Sequence, residues 1–230
     1  MLLIALLGVI GVAVAVVLIV AFAGKGSGSS SATGTTLPDA NFIAQQLDGI
    51  PQRGDTLGRA DAPVTMVEYI DLQCPVCREF ETSVMPTVIR RYVRTGKVKV
   101  IARPIAFIGP DSERGRRGMI AAALQNRGFN FSQLLYFNQG PENGGWLNDD
   151  MVASAATSIP GVDVKALQDT VNSSAVTDQT KTIDSQAQAD QVTGTPTILV
   201  GKSDGKLTAL PAGNPGLPAL SSAIQNALGQ

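Results

Sequence analysis

Residues 64–80 read VTMVEYIDLQCPVCREF and decide the fold of this chain. The first seven form an apolar run that predicts a strand, and the stretch from Arg78 to Thr95 has a helix-like pattern. Between them lie Cys74 and Cys77, the only two cysteines. In this order the first thiol falls at a helix N-terminus, where unpaired N–H groups and the helix dipole favour the thiolate. The motif therefore predicts disulfide exchange, in which the second cysteine resolves a mixed disulfide.

The composition excludes several other chemistries. The chain has 230 residues, of which 44% are hydrophobic, and a net charge of −1. This suits one domain of ordinary size and gives no sign of a nucleic-acid surface. Because the chain contains no histidine, Ser-His-Asp and Cys-His nucleophile systems are excluded. A C-x-x-C zinc site needs a second ligand pair, which the sequence does not supply, so we expect no metal and no cofactor.

The N-terminal segment is apolar. Residues 2–23 carry no charged side chain and would span a bilayer core of roughly 30 Å as a helix. Because this run is long and no basic residue precedes it, we expect an uncleaved transmembrane anchor over residues 1–23. The alternative is a signal peptide, since Ala21-Phe22-Ala23 resembles an A-x-A cleavage site. Both interpretations place the remaining chain on the extracytoplasmic side of the cell membrane, which suits a dithiol motif.

The rest of the chain divides into a linker and a domain. Residues 24–40 begin with a run rich in Gly, Ser and Thr that predicts a flexible linker, and residues 41–230 form the predicted domain. Residues 112–191 are typical of five helices set between two strand regions. Pro86 is expected to kink the helix after the motif. The other predicted elements are a short helix, four strands and a final helix: 41–47, 64–70, 97–103, 197–200, 206–210 and 217–228.

The order of these elements carries a family resemblance. A strand, a C-x-x-C helix, a strand, a helical block and then Thr195-Pro196 before a hairpin resemble the DsbA-like thiol:disulfide oxidoreductase family. The resemblance covers about residues 55–229. It implies an α/β, thioredoxin-like fold with an inserted helical subdomain, here preceded by the N-terminal transmembrane helix. It also implies that Cys74 is the exposed nucleophile of low pKa and that Cys77 is the less exposed, resolving cysteine.

Four further residues take their expected roles from the same resemblance. Pro75 and Val76 lie between the cysteines, where they help to set the redox potential. Strong oxidases of the family have C-P-H-C, so Val76 in place of histidine leads us to expect an intermediate potential. Thr195-Pro196 resembles the family's cis-proline loop, and the backbone of Thr195 is expected to pair with a substrate strand. The alternative is an ordinary trans proline that opens the next strand.

Glu68 is a candidate proton-transfer residue. It lies six residues before the first cysteine, where thioredoxin-like proteins often carry a buried acid. Strand alternation places it on one face with Met66 and Ile70, and this apolar neighbourhood favours burial. A buried carboxyl has a raised pKa and can exchange a proton with the resolving sulfur. The alternative is a solvent-facing glutamate with Tyr69 turned inward.

We also expect structural roles for three other sets of side chains. We expect Asp71 to be a solvated loop residue. Arg114, Arg116 and Arg117 are expected to form a solvated helix face rather than a docking patch. The aromatic residues of the helical block are expected to pack in its core: Phe129, Phe131, Tyr136 and Phe137.

The leading hypothesis is an enzyme that oxidises cysteine pairs in exported proteins through a Cys74–Cys77 disulfide. Such an oxidase ends each cycle as a dithiol, and the resemblance implies a quinone-linked membrane partner of the DsbB or VKOR type. Because Val76 replaces the histidine of the strong oxidases, a reductase or isomerase with the opposite electron flow is a second hypothesis. A tethered chaperone or binding module with a structural disulfide is a third hypothesis, although so short a bridge constrains little of the unfolded chain.

Overall fold

The computed structural model describes residues 34–230. The predicted anchor over residues 1–23 and most of the predicted linker lie outside this range. Within it, no helix combines the length and the apolar character needed to cross a membrane. The last part of the predicted linker contacts the domain: the N–H groups of Thr35 and Leu37 donate to the hydroxyls of Ser154 and Ser158 at 3.1 and 2.7 Å.

One mixed sheet organises the described residues. Its central strand β3 pairs in parallel with β4 and antiparallel with β5, and every residue of β3 is buried. A strand buried along its whole length needs cover on both faces of the sheet, which is typical of an α/β fold. The strand order is β1-β2-β4-β3-β5-β6. The strands are β1 Gln52–Arg53, β2 Thr56–Leu57, β3 Val64–Ile70, β4 Val98–Pro104, β5 Thr197–Lys202 and β6 Thr208–Ala209.

Helices cover the sheet and form the insertion. The predicted helical block between β4 and β5 is confirmed, with bounds that differ from the prediction by a few residues. The antiparallel hairpin of β5 and β6 is also present, although β6 is shorter than the predicted strand 206–210. The helices are α1 Ala40–Leu47, α2 Pro75–Glu79, α3 Met85–Val88, α4 Pro110–Leu124, α5 Gly128–Phe137, α6 Asp149–Thr157, α7 Val164–Thr170, α8 Ser174–Ala189 and α9 Gly216–Leu228.

The helical region that follows the redox motif has widened turns. π-helical segments at Phe80–Val84 and Ile89–Val93 alternate with α2 and α3, so the chain stays helical from Pro75 to Val93. Pro86 has no N–H to donate to the preceding turn, and wider turns accommodate that loss. The predicted long helix is therefore present, with its irregularity spread over several turns around the proline.

The insertion packs around buried aromatic rings, as predicted for three of the four residues, whereas Phe137 is half-buried at the edge of the core. Phe129 and Phe131 are buried, and so is Tyr136, whose hydroxyl donates to the backbone carbonyl of Asp71 at 3.1 Å. Helix starts in the insertion are capped by side chains: Asn148 accepts the N–H of Met151 at 3.0 Å in front of α6. The insertion is thus a packed layer joined to the loop that carries the redox motif.

The predicted solvated arginine face is wrong. Arg116 has a side chain only 12% exposed, between Glu113 at 2.5 Å and Asp184 at 2.7 Å. Arg114 pairs with Asp111 and Asp149, each at 3.0 Å. These arginines connect α4 to α6 and α8. A local pattern does not show this connection, because the acidic partners on the neighbouring helices are far away in sequence.

Candidate active site

Cys74 caps the short helix α2. Its backbone is extended, and its sulfur accepts the backbone N–H of Cys77 at 3.4 Å. Pro75 occupies the first helical position, where the missing N–H costs no intrahelical bond. The sequence C-P-x-C therefore builds its own cap, with the first sulfur where a helix stabilises negative charge.

The two thiols differ in acidity. The pKa of Cys74 is lowered from 9.0 to about 6, chiefly by its hydrogen bond with the Cys77 thiol and further by Thr195 and the N–H groups of Cys77 and Val76, against the effect of burial. At pH 7 such a group is about nine-tenths thiolate. Burial raises the pKa of Cys77 well above its usual value, and the neighbouring Cys74 raises it further. The first sulfur is thus the more readily ionised of the two, and the second is held as a thiol.

Access to the pair is narrow. The expectation of an exposed Cys74 is wrong: Cys74 is only 6% exposed and Cys77 is fully buried, whereas Val76 between them is 41% exposed. Pro75 is exposed as well. The dipeptide therefore lies on the surface around a small opening to the first sulfur, with no charged or hydrogen-bonding side chain of its own.

Thr195 lies against the first sulfur, and Pro196 follows it. The Thr195–Pro196 peptide bond is cis. When it is protonated, Cys74 donates its S–H to the backbone carbonyl of Thr195 at 3.5 Å. β5 begins at Thr197, directly after Pro196, and pairs with β3, so the sheet itself fixes this loop beside the motif.

Glu68 is buried in the middle of the sheet. It is 1% exposed and lies opposite Ala102 of β4 and Ile198 of β5, so neither neighbouring strand offers it a cation. Tyr69 on the opposite face is also buried, with its hydroxyl donating to Asp190 at 2.6 Å. The alternative of a solvent-facing Glu68 is therefore wrong, and Tyr69 is buried as well because β3 is covered on both faces.

Glu81 is a second buried acid that sequence reasoning missed. Burial raises the pKa of Glu68 well above 4.5, and the charge of Glu81 and a hydrogen bond between the two carboxyls raise it further. Burial also raises the pKa of Glu81 to about 8, although hydrogen bonds from Gln133 and Glu68 lower it in part. A carboxyl pair without a cation is therefore expected to retain protons at neutral pH.

The hydrogen-bond pattern supports the same conclusion. Gln133 Nε2 donates to Glu81 Oε2 at 2.5 Å. Among the described residues, three buried oxygens around this contact have no donor: Glu68 Oε2, Glu81 Oε1 and Gln133 Oε1. All three are acceptors, and carboxyl protons are the donors that this cluster can itself supply. Helical spacing from the motif is the one local signal for Glu81, because position 81 lies seven residues, or about two turns, beyond Cys74.

Tyr136 belongs to the same buried region. Burial raises its pKa, and Cys77, Glu81, Asp71 and Glu68 raise it further. Its hydroxyl donates to the backbone carbonyl of Asp71 at 3.1 Å, which ties the phenol to the loop before the redox motif.

The expectation that Asp71 is a solvated loop residue is wrong. Asp71 is fully buried, and its carboxylate accepts the N–H groups of Gln73, Phe107 and Ile108. Loop N–H groups that converge on a carboxylate leave no pattern in the sequence, so only the fold shows this contact.

Two thiols of such unequal pKa, one of them at the start of a helix, define the class: a dithiol that exchanges disulfides on a thioredoxin-type fold. The thioredoxin family model matches residues 52–209, and the chain belongs to that family. It is 30% identical over 176 residues to a probable disulfide bond formation protein D of Bacillus cereus, covering 75% of this chain and 78% of the relative. Disulfide bond formation protein D of Bacillus subtilis is 25% identical over 153 residues, 63% of this chain and 66% of that protein.

Solved structures share the fold. BdbD from Bacillus subtilis, in its oxidised form, superposes with a TM-score of 0.68 at 20% identity, over 87% of this chain and 100% of that one. The alpha-DsbA1 protein of Wolbachia pipientis gives a TM-score of 0.65 at 21% identity, over 80% and 92% of the two chains. The thioredoxin-like fold with a helical insertion is thereby confirmed, and the protein is a thiol:disulfide oxidoreductase.

Proposed function

We propose that the protein oxidises cysteine pairs in exported proteins through a Cys74–Cys77 disulfide. The observation that carries the proposal is the lowered pKa of Cys74, at about 6. A stabilised Cys74 thiolate lowers the free energy of the reduced protein. The Cys74–Cys77 disulfide is therefore readily reduced by substrate thiols. The names of the relatives support the same direction, since they describe disulfide bond formation.

Oxidation of a substrate proceeds in two thiol–disulfide exchange steps. A substrate thiolate attacks the Cys74 sulfur, a substrate–Cys74 bond forms, and the Cys74–Cys77 bond breaks with its electron pair on Cys77. The second substrate thiolate then attacks the substrate sulfur of the mixed disulfide, and Cys74 leaves as a thiolate of low pKa. Two electrons pass to the protein, and the substrate keeps the new disulfide.

Proton transfer is the proposed role of the buried acids. Cys77 leaves the first step as a buried thiolate, and burial favours its thiol form. Glu68 precedes the motif on β3 and shares a hydrogen bond with Glu81, so the pair can supply a proton to Cys77 and recover it on re-oxidation. The backbone of Thr195 would hold the substrate strand during the exchange.

We also propose a membrane-anchored form. The apolar run over residues 2–23 supports a single-pass anchor with the domain on the extracytoplasmic side. An oxidase must pass its electrons on, and a quinone-linked membrane protein of the DsbB or VKOR type would accept them. An anchor keeps the domain near such a partner and so raises its effective concentration.

The redox direction is tested by the equilibrium reduction potential of the full chain in detergent against glutathione buffers. A value between roughly −120 and −180 mV supports the oxidase. A value near roughly −270 mV would make the protein a thioredoxin-like reductase. Val76 favours this second candidate, because it can neither carry charge nor donate a side-chain hydrogen bond. Val76→His is the matched variant, and we expect it to make the potential less negative.

Topology and processing have separate tests. A membrane-impermeant maleimide applied to intact cells after reduction should label Cys74 if the domain is extracytoplasmic. Labelling only after the cells have been lysed would contradict an extracytoplasmic domain. The intact mass of the membrane-bound protein distinguishes an anchor from a signal peptide cleaved after Ala23.

A further inference from the structure

Tyr69 belongs to a cluster of polar side chains on the face of β3 opposite Glu68. Its hydroxyl donates to Asp190 Oδ2 at 2.6 Å, and the guanidinium of Arg103 donates to the same hydroxyl. Arg103 also pairs with Asp190 Oδ2 at 3.1 Å and lies 5.3 Å from the centre of the Tyr69 ring. These three side chains, the Asp190 cluster, join β3 and β4 to the residue that ends α8.

The Asp190 cluster is largely shielded from water. Tyr69 is buried, and the side chains of Arg103 and Asp190 are 17% and 34% exposed. Burial, and then the hydrogen bond to Asp190, raise the pKa of Tyr69 to about 12, so its hydroxyl is a donor at neutral pH. A charge-assisted hydrogen bond in such surroundings is stronger than one at an open surface. The cluster therefore fixes the point at which the chain leaves α8.

Tyr69 holds both ends of the segment that follows. Residues 190–197, the Asp190 loop, lead from α8 to β5. The Tyr69 hydroxyl binds the first residue of this loop, and the Tyr69 backbone pairs with Thr197 at its end. Inside the loop, the N–H of Val192 donates to the carbonyl of Ala187 at 2.9 Å, and the hydroxyl of Thr197 donates to the carbonyl of Gly194 at 2.8 Å. These contacts leave the loop little freedom to move.

Thr195 is the part of the Asp190 loop that reaches the redox motif. Its carbonyl oxygen lies 3.5 Å from the sulfur of Cys74. The hydrogen bond with the Cys77 thiol contributes most to the lowered pKa of Cys74, and a hydrogen bond with Thr195 lowers it further. Because hydrogen bonds weaken steeply with distance and angle, a shift of the loop by about 1 Å would remove this contribution.

We infer that the Asp190 cluster holds Thr195 against Cys74, and that Tyr69 and Asp190 are thereby positioning residues for the reactive thiol. The inference goes beyond the proposed function, because it holds for either direction of electron flow. It assigns a role in the chemistry to a cluster that lies on the far face of the sheet from the buried acids. If the cluster only anchored α8 to the sheet, its loss would leave the ionisation of Cys74 unchanged.

The test measures the ionisation of Cys74 in the reduced full chain in detergent, from the pH dependence of alkylation by iodoacetamide. Tyr69→Phe removes the hydroxyl and keeps the ring. Its midpoint should rise from near pH 6 by about half a unit to one unit, the range expected for loss of one hydrogen bond to the thiolate. Asp190→Ala should produce a similar rise. Tyr92→Phe is the matched control, because it removes a phenol hydroxyl from the π-helical segment Ile89–Val93 and should leave the midpoint unchanged.

A double-mutant cycle tests whether the effect passes through Thr195. Thr195→Val removes the side-chain hydroxyl and should raise the midpoint by itself. Tyr69→Phe should add little in that background, because both changes remove the same hydrogen bond. Shifts that add in full would overturn the positioning of Thr195 by the cluster. If Asp190→Ala does not fold, Tyr69→Phe and the cycle decide the inference.

Urea unfolding of each variant separates positioning from stability. A lower free energy of unfolding with an unchanged midpoint for Tyr69→Phe would overturn the inference, since it shows an anchor of α8 alone. An equal rise with Tyr92→Phe would also overturn it, because the effect would then be a general loosening of the domain. Neither result touches the proposed function, which fails separately if the reduction potential is that of a reductase.

Discussion

Replacement of Glu81 by glutamine is expected to flatten the pH dependence of stability. Burial first of all raises the pKa of this carboxyl from 4.5 to about 8 in the folded protein. In the unfolded chain the pKa returns to its ordinary value. Between these two values the folded state keeps a proton that the unfolded state has lost. The stabilising contribution is therefore complete below about pH 4.5 and is lost as the pH rises towards about 8.

The expected magnitude follows from the size of this interval. One retained proton changes the free energy of unfolding by about 1.4 kcal/mol per pH unit. From 4.5 to about 8 the contribution of Glu81 amounts to about 5 kcal/mol. Glu81→Gln keeps an oxygen that can accept from Gln133 and removes the titration. The slope of the variant should therefore be shallower by about 1.4 kcal/mol per pH unit.

The assay is urea unfolding of the oxidised protein between about pH 5 and about pH 8. The protein must be oxidised for this assay, because the Cys74 thiol of the reduced protein has a pKa lowered to about 6 and would titrate in the same range. That shift gives the reduced protein a slope of opposite sign, with stability that is lost as the pH falls from 9 through about 6. Glu79→Gln, at an exposed position on α2, is the control. Parallel curves for Glu81→Gln and the wild type would refute the claim that Glu81 is a buried, protonated acid.

Three further predictions follow from the site and the core. Alkylation of the reduced protein by iodoacetamide should follow the ionisation of Cys74, with a midpoint near pH 6, and Cys77 should react only after unfolding; a midpoint near 9 would contradict the stabilised thiolate. Glu68→Gln should slow dithiol–disulfide exchange in stopped-flow measurements without a large loss of stability, and unchanged rates across pH would remove Glu68 from the mechanism. Gly118→Ala should lower the free energy of unfolding by about 1–3 kcal/mol, because the added Cβ would lie 2.7 Å from Phe131 Cζ; an unchanged unfolding midpoint would show that the ring can move aside.

The redox motif and the strand before it could be predicted from the sequence because their signals are local. Cys74 and Cys77 are the only cysteines, and alternation along β3 correctly indicated a buried Glu68. A local pattern does not show which distant residues arrive beside a side chain. Asp71 looked solvated for this reason, although its donors at Phe107 and Ile108 come from beyond β4.

The second acid and the arginines were missed for a related reason. Glu81 lies in a π-helical turn, where the wider repeat changes which side chains face the core. Its partner Gln133 belongs to the insertion, 52 residues further on. Arg116 likewise depends on Asp184 of a later helix. Helical periodicity identifies an amphipathic helix, but the partners of its polar residues depend on how the helices pack together.

The pairing of β3 with β5 has a consequence for the order in which the protein becomes active. The register joins Tyr69 to Thr197, so the central ladder closes a loop of more than a hundred residues that contains the whole insertion. A growing chain that has already produced both cysteines still lacks Thr195 and the strand that holds it. The thiols therefore meet their complete surroundings only after β5 has been made and has paired with β3. The unequal acidity of Cys74 and Cys77 is in this sense a property that arises late, when this long loop closes.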